Sequence, residues 1–326
     1  YPGDDYVDWI GIDGYNWGRG HPGGPGKWEE FEEIFAPMYR ILTELHPTAP
    51  VWTADYGADA FARDLPSLAG GEALALYAHV PFCASLCHFC ACNRIITRDV
   101  ALPERYLDVI AREIDAVRAR IDSPAPAAQL HWGGGTPTHL EPAQIRRLFH
   151  ALTDAFPLRA GAEVSIEVDP RVTTPDQVET LRELGFDRIS LGVQDVEPRV
   201  QEAIHRVQPA SMTASLVESA RRAGFTSVNL DLIYGLPFQR EESFGRTLDT
   251  VLAIGPARIA LYSYAHVTWV AKQQRGFERK DLPDAATKLR ILLLAIRRLL
   301  RAGYVYVGMD HFARPDDELA IALRDR

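Results

Sequence analysis

From about residue 72 onward, short β-rich runs alternate with amphipathic helical patterns, and this alternation narrows the available architectures more than any other feature of the sequence. Strands are expected at 74–80, 129–132, 163–167, 188–193, 227–231 and 258–264. The helices between them have readable ends, with Pro142 at one start and Gly185 and Gly224 just past two stops. The last helix follows Pro283, with Asp284 as its N-cap, Leu289, Leu292, Leu293, Ile296, Leu299 and Leu300 on its apolar face, and Gly303 as its stop. Strand, crossover helix and strand, repeated about six times, demands parallel neighbours joined in one hand. The natural closure is a complete or partial β/α barrel, in which chemistry belongs at the C-terminal strand ends.

The composition, 47% hydrophobic and 24% charged, is that of an ordinary globular protein and excludes disordered and collagen-like classes. With 44 acidic against 35 basic side chains the net charge is -9, which offers no basic field to nucleic acid or to an anionic membrane. Any anionic ligand must be met by local arginines. The longest purely apolar stretch, 291–296, is far short of the ~20 residues that span a bilayer. No nucleic-acid or membrane partner is expected.

The chain has four cysteines, Cys83, Cys87, Cys90 and Cys92, all on one short segment. Disulfides demand Cα separations that such small loops rarely supply, so a reduced compartment and metal ligation are expected. The spacing Cys83-x3-Cys87-x2-Cys90 follows the first strand of the alternating region and suits either zinc or an iron-sulfur cluster. Structural zinc normally draws ligand pairs from separated parts of a chain, whereas here every cysteine sits on a single loop. Three thiolates would leave one iron of a 4Fe-4S cluster without a protein ligand and open to a bound molecule.

The segment Tyr77-Ala78-His79-Val80-Pro81-Phe82-Cys83, with Cys87, Cys90 and Cys92-Asn93, resembles the radical S-adenosylmethionine (SAM) enzymes, and in particular the oxygen-independent coproporphyrinogen III oxidases of haem biosynthesis. The likeness covers about residues 53–326 and includes the stretches 130–138, 166–170, 191–195, 231–237 and 308–315. It implies an α/β fold, the radical SAM partial (β/α)6 barrel, with Cys83, Cys87 and Cys90 on a 4Fe-4S cluster and SAM completing the open iron. Tyr77, Gly134, Gly135, Thr136, Glu167, Gln194, Arg206, Asp231 and Ala265 match SAM-binding positions. Tyr77 and Cys92, the latter a family cysteine outside the cluster ligands, are the implied catalytic residues.

The implied reaction is reductive cleavage of SAM to a 5'-deoxyadenosyl radical, which takes hydrogen from the β-carbon of a propionate. Loss of carbon dioxide and one electron then leaves a vinyl group. Two propionates of coproporphyrinogen III react, with two SAM molecules, to give protoporphyrinogen IX. A reduced flavodoxin or ferredoxin is the implied electron donor, and the implied enzyme is a cytoplasmic monomer.

The residues themselves suit these roles. Glycines at 133–135 let a backbone approach a ligand closely, while the full G-x-G-x-x-G dinucleotide pattern is absent. Glu167, Gln194, Asp231 and Ala265 are expected at or just beyond the ends of strands three to six, converging on the mouth that carries the cysteines. Asp231 can accept from ribose hydroxyls and Arg206 can engage a carboxylate. His79, His131 and His311 are as well suited to orienting backbone as to moving protons, and His88 is expected beside the cluster and not on it. Arg94, Arg98 and Arg314 are the local arginines to test against the substrate carboxylates, each against the plainer reading as a surface charge.

Residues 1–57 read differently. A strand is expected at 6–12 and a helix at 28–45, and the segment 1–18, continued by 31–53, resembles family-26 β-mannanases. Asp55 is the nearest match to the hydrolase nucleophile, and a partner acid, required about 5–5.5 Å away for retaining hydrolysis, is missing. The expected organisation is a βα fragment of TIM-barrel type at 1–52, a non-functional fusion, and a radical SAM domain at 53–326 that stops short of the family's C-terminal domain. Related haem chaperones also carry the three-cysteine loop, but Cys92-Asn93 and 308–315 favour the oxidase.

Overall fold

The computed structural model describes residues 10–12, 51–53, 65–68, 73–99, 101–268 and 271–325. The chain divides into two units, one of residues 1–69 with 120–122 and the other of residues 70–119 with 123–326. In the first, β1 (Ile10–Ile12) pairs in parallel with β2 (Val51–Thr53), and a single 3-10 turn covers Leu65–Leu68. Of the strand expected at 6–12, residues 10–12 are extended and 6–9 lie outside the described residues. The helix expected at 28–45 and the mannanase-like Asp55 lie outside the described residues.

The second unit begins with β3 (Leu74–Val80), β4 (Phe82–Cys83), β5 (Ile95–Ile96) and α1 (Leu102–Arg118). It continues through β6 (Ala127–Gly134), α2 (Pro142–Ala155), β7 (Leu158–Val168), α3 (Pro175–Glu183) and β8 (Arg188–Gln194). Next come α4 (Pro198–Ala203), α5 (Ala210–Ala223), β9 (Ser227–Tyr234), α6 (Glu241–Ile254) and β10 (Arg258–Ser263). The end is α7 (Ala285–Arg301), β11 (Val305–Gly308), β12 (His311–Ala313) and α8 (Glu318–Arg324).

Eight of these strands form one sheet in the order β11-β12-β10-β9-β8-β7-β6-β3. From β3 to β10 every pairing is parallel and each strand lies beside its predecessor, so the crossovers all advance the same way and their helices gather on one face. Among the described residues the sheet does not close, which gives the expected partial barrel of six parallel strands. The antiparallel hairpin of β11 and β12 was not legible as strands. Its turn, Met309-Asp310, has φ of 45° and 64°, the left-handed geometry that joins two antiparallel strands tightly.

Alternation along the strands sorts the two faces. Leu130, Trp132, Ile166, Leu191, Leu230 and Ile259 are fully covered beneath the helices. Trp132 meets Phe186 edge-on with ring centroids 5.2 Å apart, and Phe186 meets Phe149 of α2 at 5.7 Å. The register puts Tyr77, His131, Glu167, Ser190, Asp231 and Tyr262 on the opposite face. A closed β/α barrel fills that interior with branched aliphatics; here it is polar and aromatic, a surface that can receive a ligand.

The helix ends follow the sequence: Asp284 accepts from Thr287 N at 2.7 Å, and Gly185 and Gly224 take φ of 99° and 94°. The apolar face of α7 is a correction. Ile291, Ala295 and Leu299, one turn apart, are fully buried, while Leu289, Leu293 and Leu300 are exposed. The seam against the sheet is a single i, i+4 row, so a six-residue stripe cannot all fit beneath it.

Candidate active site

Pro81 turns the chain out of β3 into β4, whose Phe82 is buried and whose Cys83 is the first thiol of the loop. This short strand is tied on both sides. Ile95 N donates to Pro81 O at 2.7 Å and Thr97 N to Cys83 O at 3.0 Å, while Gly135 N donates to Val80 O at 2.9 Å and Thr136 N to Phe82 O at 2.7 Å. The glycine run is thus explained first by the chain's own contacts. A Cβ on Gly133 would meet Tyr77 Oη at 3.0 Å and the Glu167 carboxyl at 3.1 Å, and one on Gly134, whose φ is 118°, would meet Val80 O at 2.9 Å. Cys83 Sγ lies 3.6 Å from Thr136 Oγ1, and burial raises its thiol above the ordinary range.

Cys87, 8% exposed, is the most enclosed of the four cysteines. Its loop is anchored to the end of α4: His88 N donates to Ile204 O at 2.8 Å, His205 Nδ1 donates to Leu86 O at 2.7 Å, and the two imidazoles stack at 5.1 Å. His88 Nδ1 also donates to Ala203 O at 3.3 Å. Behind Cys87 stands Arg206, with Nη1 donating to Asp169 Oδ2 at 2.9 Å and Nη2 to Gly192 O at 2.7 Å. Burial alone would raise the Asp169 carboxyl, but Arg206 and Arg171 override it and hold it below the usual range. Arg206 Nε is buried without a partner, a donor that a bound acceptor could satisfy.

Cys90 and Cys92 act on each other. The Cys92 side chain, and then its backbone N–H at 3.4 Å, donate to Cys90 Sγ and pull the Cys90 thiol below its ordinary range. Cys92 is correspondingly pushed up, first by that bond to Cys90 and then by burial. Sequence reasoning missed the strap that closes over this loop. Gln274, 1% exposed, donates from Nε2 to Phe89 O at 2.8 Å and to Ala265 O at 3.1 Å, and its Oε1 accepts from Val267 N at 2.6 Å. The adjacent Gln273 donates to Cys90 O. Ala265 is thereby fastened to the cysteine loop through its carbonyl.

The polar sheet face continues from these residues. His79 Nε2 donates to Asn93 O at 2.9 Å, which leaves Nδ1 to accept from Tyr77 Oη at 3.1 Å. Tyr77 stacks on His131 at 5.8 Å, and burial followed by the Glu167 charge raises its phenol. His131 joins Ser165 Oγ at 2.7 Å and donates to Glu167 Oε1 at 3.4 Å. Asp231 lies inside β9, not at its end, because the apolar run Leu232-Ile233-Tyr234 prolongs the strand. It accepts from Ser190 Oγ at 2.9 Å and Asn229 Nδ2 at 2.7 Å, and burial pushes it up to about 6. Gln194 ends β8 with φ of 68°, a conformation that costs a non-glycine residue about 1–2 kcal/mol and that clusters at functional sites.

The three candidate substrate arginines are scattered. Arg94 donates to Cys92 O at 2.7 Å and has a buried, unpartnered Nε beside the site. Arg98 is exposed. Arg314 is exposed, which fits the reading as a surface charge: antiparallel β12 carries it back to Ala257, where Arg314 N donates to Ala257 O at 2.9 Å, at the N-terminal end of β10 and away from the mouth.

The donor set, three thiolates on one loop beside two guanidinium groups, suits a cluster. Among the described residues, no three His, Cys, Asp or Glu side chains converge as one metal ion requires. A 4Fe-4S cluster asks less, since each thiolate takes its own iron. The surroundings also match its charge: Arg171 and Arg206 against Asp169 leave one positive charge in excess beside buried Cys87, and a buried charge needs a counter-charge.

Residues 77–251 match the family profile described as the Radical SAM superfamily. The chain is 47% identical over 251 residues to the oxygen-independent coproporphyrinogen III oxidase of Synechocystis sp., which covers 77% of this chain and 54% of the relative. It is 46% identical over 280 residues to the protein of the same name from Escherichia coli, covering 86% of this chain and 61% of that one. It also resembles a solved coproporphyrinogen III oxidase from Escherichia coli, described as a radical SAM enzyme, with a TM-score of 0.79 and 45% identity over 83% of this chain and 62% of that one. The chain therefore spans less than two thirds of the length of these relatives. A profile that matches more than half of the sequence, on a partial barrel whose first strand runs into a three-cysteine loop, settles the family: the protein belongs to the radical SAM superfamily, whose members use a 4Fe-4S cluster and SAM.

Proposed function

We propose that the chain carries the catalytic part of an oxygen-independent coproporphyrinogen III oxidase, an oxidoreductase that converts two propionates of coproporphyrinogen III to vinyl groups and yields protoporphyrinogen IX. The observation that carries this reading is the three-cysteine loop fixed between β3 and the polar sheet face, in a chain 46% identical over 280 residues to an Escherichia coli protein of that name. Cys83, Cys87 and Cys90 hold the cluster. Tyr77, Gly134, Gly135, Thr136, Glu167, Gln194, Arg206, Asp231 and Ala265 line the place for SAM, with Asp231 accepting from ribose hydroxyls and Arg206 Nε meeting a carboxylate.

Bound there, cluster and SAM supply electron transfer and a hydrogen-abstracting alkyl radical. The chain's own residues position and enclose. His79 fixes the Tyr77 phenol, Gln274 and Gln273 hold the cysteine loop against water, and Cys92 faces the substrate. Arg94, which donates to Cys92 O and keeps a buried, unpartnered Nε, is the arginine offered to a propionate. A reduced flavodoxin or ferredoxin delivers the electron to a cytoplasmic monomer, and the segment 1–52 takes no part. Among the described residues no helix is long and apolar enough to cross a membrane.

The test is anaerobic incubation of the full chain with SAM, a reductant and coproporphyrinogen III. Formation of 5'-deoxyadenosine together with vinyl product supports the assignment. Stoichiometric haem transfer without deoxyadenosine overturns it in favour of a haem chaperone.

A further inference from the structure

Arg171 has no part in the assignment above, yet it touches the proposed cluster loop directly. It follows buried Asp169 by two residues and folds back on it. Its backbone N–H donates to Asp169 Oδ1 at 3.0 Å, Nε reaches Oδ1 at 3.0 Å and Oδ2 at 3.1 Å, and Nη2 reaches Oδ2 at 2.6 Å. This fork fixes the guanidinium plane. Nη2 is thereby aimed at Cys87, donating to its Sγ at 3.3 Å, while Arg206 Nη1 lies 3.7 Å from the same sulfur.

The other two thiols are treated differently. Cys83 meets a threonine hydroxyl and Cys90 a backbone N–H. Among the described residues, Cys87 alone of the three accepts from guanidinium groups, and it does so where Asp169, Arg206 and Cys87 are each less than 10% exposed. In such an enclosed setting charge is poorly screened.

We propose that Arg171, held in place by Asp169, sets the reduction potential of the cluster through its N–H bond to the Cys87 sulfur. The inference rests on the cluster reading of the loop. Reduction adds one electron from the external donor and neither makes nor breaks a bond. The added negative charge spreads onto the ligand sulfurs, so a fixed donor bearing positive charge stabilises the reduced state more than the oxidised one and raises the potential.

The experiment compares the full-length wild-type chain with R171Q, R171K and R146Q, each reconstituted anaerobically and titrated without SAM while the reduced cluster is followed by electron paramagnetic resonance. R171Q removes charge and fork together, and its reduction equilibrium falls at least tenfold, about 59 mV for one electron. R171K keeps the charge on a compact ammonium and falls between R171Q and wild type. R146Q loses only an exposed pair with Glu183 and titrates as wild type.

Wild-type potentials in both Arg171 variants, with clusters intact, overturn the proposal. So does failure of both variants to hold a cluster while their circular dichroism stays native, because Arg171 would then serve assembly and not potential. A wild-type chain that holds no 4Fe-4S cluster brings down the cluster reading itself, a failure visible before any variant is titrated.

Discussion

Gly135 presses against Pro81 so closely that a Cβ built on it would lie 2.6 Å from the Pro81 carbonyl oxygen. The contact joins the turn after β6 to the turn that starts the cysteine loop, backbone against backbone. Neither side can yield by swinging a side chain away.

Gly135→Ala therefore forces the two turns apart. It is expected to cost about 1–3 kcal/mol of stability, as overpacking does in well-packed interiors, and to lower the iron retained after reconstitution. Urea denaturation and iron analysis check both effects. Wild-type stability would show that the turns tolerate separation.

Asp231 gives a pH dependence with a defined sign. Burial pushes it up to about 6, Ser190 and Asn229 donate to it, and the charged or titratable groups facing it are Glu167, His311 and Tyr262. An acid whose pKa rises on folding favours the folded state in its protonated form. That contribution is whole below about pH 4, the unfolded value, and is lost as pH climbs through about 6. Asp231→Asn should flatten the stability profile between pH 4 and pH 7 and gain relative to wild type at the upper end, while binding SAM at least tenfold more weakly at pH 7.5. Parallel urea midpoints and a SAM binding titration read the two effects separately.

Gln274 is the buried rivet of the strap. Replacing it with alanine leaves Phe89 O, Ala265 O and Val267 N without their partner. A loss of about 2 kcal/mol is expected, with faster bleaching of the reconstituted cluster in air, since the loop that covers it is loosened. Gln274→Glu keeps the acceptor for Val267 but sets a buried, unpaired carboxylate against the Phe89 and Ala265 carbonyl oxygens, so it should bleach at least as fast as alanine. Unchanged air stability in Gln274→Ala would show that the strap does not shield the site.

Much of this was legible from residues alone because it depends on local pattern. The strand at 74–80 was placed to the residue, and the glycine stops at 185 and 224 and the Asp284 cap were visible, since each is set by its own neighbours. The cysteine spacing likewise announced a metal loop. What escaped depends on folding at a distance. Arg171 reaches Cys87 across 84 positions and Gln274 reaches Phe89 across 185, and no periodicity marks either. Arg314 sat in a recognisable stretch, but only the antiparallel return of β12 shows that it faces the wrong end of the sheet. The strand through Asp231 runs three residues further than its pattern suggests, because a polar residue inside an apolar run looks like a strand end.

The three-cysteine loop is tested most directly by anaerobic iron and sulfide analysis combined with electron paramagnetic resonance of the reduced chain before and after SAM is added. About four iron and four sulfide per chain, with a reduced-cluster signal that shifts on adding SAM and is lost in Cys83→Ser, Cys87→Ser or Cys90→Ser but kept in Cys92→Ser, is the predicted result. Zinc without sulfide, or a cluster signal indifferent to SAM, would contradict it.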